Sequence, residues 1–418
     1  MKRTLPALAL LFSFSLSAQE FVEVSYGQSY KNQTYYRLSD DAVATIDNNA
    51  WDIAFTTFGS TDAGIHLNES AASGFPTIEA ALYLAPTTNF SDPITPDDLT
   101  ERLYNDENSW EYGAFNSTRD VNDPADFGWG TLDAGTGNIQ GNTVFGLRFK
   151  DGTYKKLQIA SLVQGVYTLK HADLDGSNET TLTVDKANFP DADFAYLSLA
   201  SGQTLPSLSI DWDLAFVRYA DPNDDGMGGI FQVVSSGVLS APGVLVAQAN
   251  DVIPGEVEFA DYEDSLSADI NVIGADWKTF NNISWELADD RAYFVKTSNG
   301  AVWKLVFVEF GGSMTGNVVF TKELVVASGT QEAGAFKDVA IFPNPSALDA
   351  TFRFSTDRTG LADIMLTNSF GQTVWSGKHL AVAGLNAVQL PLHSLAEGYY
   401  FATIKLGGSV LTRKMVKL

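Results

Sequence analysis

The chain has 418 residues, 45% of them hydrophobic, with no cysteine and with 26 Lys/Arg against 51 Asp/Glu, a formal net charge of −25. That length provides for two or three domains with cores of their own, and that apolar content excludes a disordered chain. The missing cysteine excludes disulfides, thiolate metal centres and a lipid-modified cysteine, while the acidity opposes nucleic acid and anionic headgroups as partners.

In chain order, the first element is a secretory signal peptide over residues 1–18. Met1, Lys2 and Arg3 form a charged start, residues 5–16 an apolar run, and Ser17-Ala18 a small-residue cleavage site. The apolar run is too short to span a bilayer, which takes about 20 residues, and no later stretch is long enough. The mature chain is therefore expected outside the cytoplasm, without a transmembrane segment.

From residue 19 onward the sequence alternates short runs of β-branched and aromatic residues with Gly, Asn and Asp, which predicts a mainly β fold. Three landmarks recur in the same order. Trp51-Asp52-Ile53-Ala54-Phe55, Trp110 and the segment 145–159 are followed by Trp212-Asp213-Leu214-Ala215-Phe216, Trp277 and the segment 293–307. The two later segments turn on Asp151-Gly152 and Asn299-Gly300, pairs that tolerate the positive φ of a tight hairpin. The repetition predicts two related units, residues 19–190 and 191–326.

Few residues in the body carry chemistry suited to a cofactor. His66 and His171 are its histidines and Met227 and Met314 its methionines. His66 follows Phe55 at the same spacing at which Met227 follows Phe216, so the pair is the candidate for axial ligation of a haem iron, which takes nitrogen or sulfur donors. The plain alternative is an exposed loop imidazole and a flexible filler in a glycine-rich turn. Asp221, Asn223 and Asp225, ahead of Gly226, fit the opening of a calcium loop, although Gln232 stands where the bidentate Glu would be; the alternative is a solvated acidic turn. No Gly-x-Ser-x-Gly elbow, His-Glu-x-x-His helix or phosphate loop is present, so a binding protein is expected rather than an enzyme.

Residues 327–338 are small and polar and predict a linker. Residues 339–418 carry seven Lys/Arg against four Asp/Glu, a change of charge that marks a separate domain, and their short, evenly spaced strand runs predict a β-sandwich. Phe342-Pro343-Asn344-Pro345, the turn 368–374, the run 395–401 and the basic end 412–418 resemble the type IX (Por) secretion system C-terminal sorting domain of Bacteroidetes. The resemblance implies an Ig-like β-sandwich, recognition by the type IX machinery, and a secreted or outer-membrane surface destination.

The body, through both Trp-Asp motifs and both hairpins, resembles the HmuY family of haem-binding proteins. That resemblance implies two HmuY-like β units and capture of haem from outside the cell. The sequence departs from the family in having no lipid-attachment cysteine, two units instead of one and a sorting tail. A cofactor-free surface adhesion or interaction protein is the alternative.

Overall fold

The computed structural model describes residues 20–57, 62–71, 78–190, 192–208, 210–224, 226–326, 336–344, 346, 349–356, 358–368, 372–393, 395–406 and 409–417. The expected signal peptide lies outside them, as does most of the expected linker. The chain is mainly β and divides into two compact units, a body reaching Val325 and a tail that runs to Leu418, with residues 299–301 grouped with the tail. Among the described residues no helix is long and apolar enough to cross a membrane.

The body holds four principal sheets, and their strand orders reveal how its two copies are combined. One sheet runs Thr180–Asp185, Val166–Ala172, Tyr154–Val163, Phe145–Arg148, Ala81–Leu84 and Arg102–Leu103. A second runs Glu20–Ser25, Asn317–Val326, Val302–Phe310, Ala292–Lys296 and Leu245–Ala249. The other two are four-stranded: Gln203–Thr204, Phe194–Ser198, Ile53–Thr56, Ile65–Leu67; and Val43–Asp47, Asn32–Tyr36, Leu214–Asp224, Ile230–Ser240. Laid side by side, the sheets match in order, with Thr180–Asp185 in the place of Glu20–Ser25 and Phe194–Ser198 in the place of Asn32–Tyr36, and with Arg102–Leu103 as an added edge strand of the first.

The match places the start of the second copy at the strand Thr180–Asp185, before the border at residue 190 drawn from the sequence. It also shows that the copies exchange their opening strands. Glu20–Ser25 pairs with Asn317–Val326 and Asn32–Tyr36 pairs with Leu214–Asp224, while Thr180–Asp185 and Phe194–Ser198 complete sheets of the first copy. Each lobe is therefore built from both copies.

The Trp-Asp motifs secure this exchange. Asp52 donates its backbone N–H to Leu197 O and accepts the Leu199 N–H on Oδ2 at 2.7 Å. Asp213 does the same with Tyr36 O and the Leu38 N–H, the latter at 2.8 Å. A Trp-Asp step thus opens its strand by fixing the turn that follows the exchanged strand, satisfying a backbone donor that burial would otherwise leave unpaired. Burial pushes both carboxyls above the usual carboxylate range, and the N–H donors pull them partly back.

Strand alternation then sorts the side chains into layers. Ile53, Phe55, Ala195 and Leu197 face the core with Phe145, Leu157, Ile159 and Leu169. Tyr36, Leu214 and Phe216 face the core with Tyr293, Leu305, Val318 and Phe320. The opposite faces of the two four-stranded sheets meet each other through Tyr35, Trp51, Phe194, Tyr196 and Trp212. The tail is a two-sheet sandwich. Phe336–Phe342, Asp349–Thr356 and Gly384–Pro391 form one sheet, and Thr373–Ala381, Gly360–Asn368, Gly398–Leu406 and Ser409–Lys417 form the other. Phe352, Phe354, Ile364, Leu366, Ile404 and Met415 fill the space between them. Its first strand begins at Phe336, inside the segment expected to be linker.

Two outcomes follow from the exchanged strands. Segments 20–179 and 180–326, produced separately, each lack strands their sheets need; circular dichroism should find no cooperative unfolding in either, and co-refolding should restore it, whereas a folded monomer from one segment would contradict the exchange. Replacing Asp213 by Ala leaves the Leu38 N–H unpaired and should cost about 1–3 kcal/mol in urea unfolding. Asp213→Asn, which keeps a side-chain acceptor, should cost less.

Candidate functional site

The two four-stranded sheets do not close completely where they meet. A cavity of about 70 Å³ remains between them, walled by Tyr35, Trp51, Trp110, Phe194 and Tyr196. The repeat relates the aromatic rings around it in pairs: Trp51 lies 4.9 Å from Tyr196, and Trp212, just outside the cavity, lies 5.2 Å from Tyr35, measured between ring centroids. At the point where the copies meet, the Tyr35 and Tyr196 hydroxyls are 2.9 Å apart. Tyr35 O–H donates to Gln33 Oε1 at 3.0 Å, and Gln33 Nε2 donates to Asn68 Oδ1 at 3.0 Å, so the polar groups of this wall form a chain.

His66 enters this cavity from the strand Ile65–Leu67. It was expected in a loop, but its backbone pairs with Ala54 and its ring is 4% exposed. The ring Nε2 is 3.0 Å from Trp110 O, a carbonyl, so Nε2 carries the proton and Nδ1 holds a lone pair. Nδ1 is buried without a hydrogen-bond partner, as is Trp51 Nε1. Burial lowers the His66 pKa to about 4, against a smaller opposing effect of the hydrogen bond to Trp110. The imidazole is therefore neutral at physiological pH.

Glu69 and Arg218 complete the polar lining. Glu69 Oε1 accepts the Asn105 N–H at 2.9 Å and Oε2 the Ala220 N–H at 3.0 Å, tying two copies of the body through one carboxylate. Burial raises its pKa, and the two backbone donors counter that rise. Arg218 pairs with Glu79 at 3.3 Å. The sequence reading did not single out Glu69, and its position just after the strand that carries His66 is the only local sign of it.

The structure does not bring His66 and Met227 together. Their equal spacing after Phe55 and Phe216 does not make them equivalent, because the second copy's hairpin is longer. Ala54 pairs with His66, and the matching residue Ala215 pairs with Leu239, so Leu239 stands in the place of His66. Met227 sits instead at the far end of the hairpin formed by Leu214–Asp224 and Ile230–Ser240, and is 93% exposed.

That hairpin also holds the calcium candidates. Asp221 and Asn223 lie on a regular strand opposite Val233 and Phe231. Alternate side chains of a strand stand about 6.8 Å apart and parallel, so they do not converge as the residues of a calcium loop do. Asn223 Nδ2 donates to Asp221 O at 2.9 Å, and Tyr219 O–H reaches Asp221 Oδ1 at 3.4 Å. Asp225 lies outside the described residues. Among the described residues no group of three or more His, Asp or Glu side chains is arranged to hold a metal ion.

In the tail, the sorting-motif residues have structural partners. Asn344 Oδ1 accepts the Val416 N–H at 2.9 Å and Asn344 Nδ2 donates to Lys414 O, which fastens the start of the tail to its last strand. Tyr400 O–H donates to Ala396 O at 2.8 Å.

Residues 340–418 match the family described as the Secretion system C-terminal sorting domain. The match does not extend into the body, for which no HmuY family match is found. No curated protein matches the chain. The tail is a type IX sorting domain, and the chain that carries it is exported to the cell surface or secreted.

The buried neutral His66 has a consequence in acid. Its folded pKa is near 4 and its unfolded pKa near 6.5, so between those values the unfolded chain binds more protons and stability falls as pH falls. The loss should reach about 3 kcal/mol by pH 4. His66→Gln, which keeps a donor for Trp110 O but does not titrate, should remove this part of the slope in urea unfolding measured across that range.

Proposed function

We propose, from the premise that the tail routes this chain out of the cell, that the body is a non-catalytic binding protein that works without haem and without calcium. The observation that carries this reading is the placement of the two haem-ligand candidates. His66 is buried against a cavity of about 70 Å³, while pockets for organic ligands are usually about 300–1,000 Å³, and Met227 is exposed at a hairpin end. A tetrapyrrole in the His66 cavity would have to separate the two inner sheets and break the Tyr35–Tyr196 contact.

The titratable groups of the cavity support a structural rather than a catalytic role. Both Glu69 oxygens accept backbone N–H groups, and the His66 proton is committed to Trp110 O. A role in interaction is supported by the long hairpin of the second copy, whose end exposes Ile230 and Phe231 by 68% and 50%. Apolar side chains presented together at the end of a projecting element are characteristic of contact surfaces.

Titration of the exported chain with hemin tests this reading. The expected result is no saturable Soret shift and no rise in melting temperature, with calcium and chelator equally without effect. A saturable Soret band that is lost in His66→Ala or Met227→Ala would restore haem capture as the function and overturn the proposal.

A further inference from the structure

The relation between the copies allows one lobe to be compared with the other, residue by residue. The hairpin segments 145–157 and 293–305 are of equal length and turn on left-handed glycines, Gly152 at φ 83° and Gly300 at φ 86°. Lys150 therefore corresponds to Ser298, and Lys155 to Trp303. His171 pairs with Thr180 as Lys322 pairs with Glu20, so His171 corresponds to Lys322. The turns after Leu199 and Leu38 match as well, with Gly202 at φ 66° in the place of Asp41 at φ 57°.

In the lobe that contains Lys322, these positions close the space between the sheets. The Lys322 ammonium is 3% exposed, donates to Leu38 O at 3.1 Å and Asp41 Oδ1 at 2.6 Å, and has Glu20 Oε2 at 3.5 Å. It lies 5.2 Å from the centre of the Trp303 ring. In the other lobe each part of this plug is replaced. An imidazole stands for the ammonium, Gly202 and Thr180 stand for the two carboxylates, and a lysine stands for the tryptophan.

The space left is a pocket of about 340 Å³, within the range of small-ligand sites. Trp51 and Phe149 supply apolar walls, and Lys150, Lys155 and His171 line it. Trp51 Nε1 and His171 Nδ1 are buried and unpartnered, in side chains 6% and 8% exposed. The carboxylates of the pocket already have donors: Asp52 accepts the Leu199 N–H, and Asp151 accepts both the N–H and the hydroxyl of Thr153. Lys155 is paired with Asp173. The groups left to act on a ligand are the Lys150 ammonium, the Trp51 N–H and the His171 imidazole, all able to donate. Lys150 and Lys155 are balanced in the lining by Asp52 and Asp151, so it is the unpartnered donors Trp51 Nε1 and His171 Nδ1, beside the Lys150 ammonium, that favour a ligand carrying acceptor oxygens over a cation.

We propose that this pocket binds a small organic anion, its carboxylate or sulfonate held by Lys150, His171 and the Trp51 N–H and its apolar body lying against Trp51 and Phe149. This deepens, and rests on, the reading of the body as a binding protein.

Anilinonaphthalene sulfonate provides the test, titrated into the full exported chain and followed by its fluorescence. Saturable binding at one site is expected, displaced by benzoate but not by benzylamine. Lys150→Glu should weaken it by about tenfold or more through charge, and Ala200→Phe should do so by filling the pocket without changing charge. No saturable binding, equal binding in both variants, or displacement by benzylamine would overturn the proposal. Hemin reports on the His66 cavity, so the two titrations can fail independently.

Discussion

The body depends on a pair of carboxylates that reach across its internal repeat. Asp52 and Asp213 each hold the backbone N–H of a leucine that belongs to the opposite copy, and each does so where that copy's exchanged strand turns away. Without that anchor the exchanged strands would leave buried N–H groups unpaired, and the two lobes would lose the sheets that make them continuous. The rest of the body is a consequence. Because the strands carrying Tyr35 and Tyr196 are pinned to their neighbours' sheets, the two inner sheets meet face to face, and the small cavity beside His66 is the gap they leave.

A repeated scaffold makes its departures from symmetry informative. The two copies agree in strand order, in hairpin length after the second landmark and in the left-handed turn residues. They differ in the long hairpin that carries Ile230 and Phe231, and in the fate of the space beside the outer hairpin. Lys322 with Asp41, Glu20 and Trp303 fills that space in one lobe, and in the other a pocket lined by His171 and Lys155 takes its place. Packing alone requires neither difference, since the alternative solution is present in the same molecule.

The tail follows a separate logic. Its core of Phe352, Phe354, Ile364, Leu366 and Ile404 is self-contained, and its motif residues serve that core's closure. Asn344 stitches the first strand region to the last through both atoms of its amide, so the motif and the basic C-terminal strand form one structural element in space.

Much of this was legible in the sequence. Residue types alone determined the β character and the hairpins at Asp151-Gly152 and Asn299-Gly300, and motif order carried the resemblance that identified the sorting tail, because alternation, turn chemistry and motif order are local properties. The true start of the second copy also left a trace: Tyr35 and Leu38 stand as far before Trp51 as Tyr196 and Leu199 stand before Trp212. Only the tertiary structure decided that these segments trade places, since strand pairing between distant residues depends on which sheet edge is free and not on the strand's own composition. The same limit applied to the site. Equal spacing aligned His66 with Met227, but one longer hairpin moved Met227 to the surface and put Leu239 in the place of His66, and the pocket beside Lys150 arose from residues far apart in the chain that no local pattern connects.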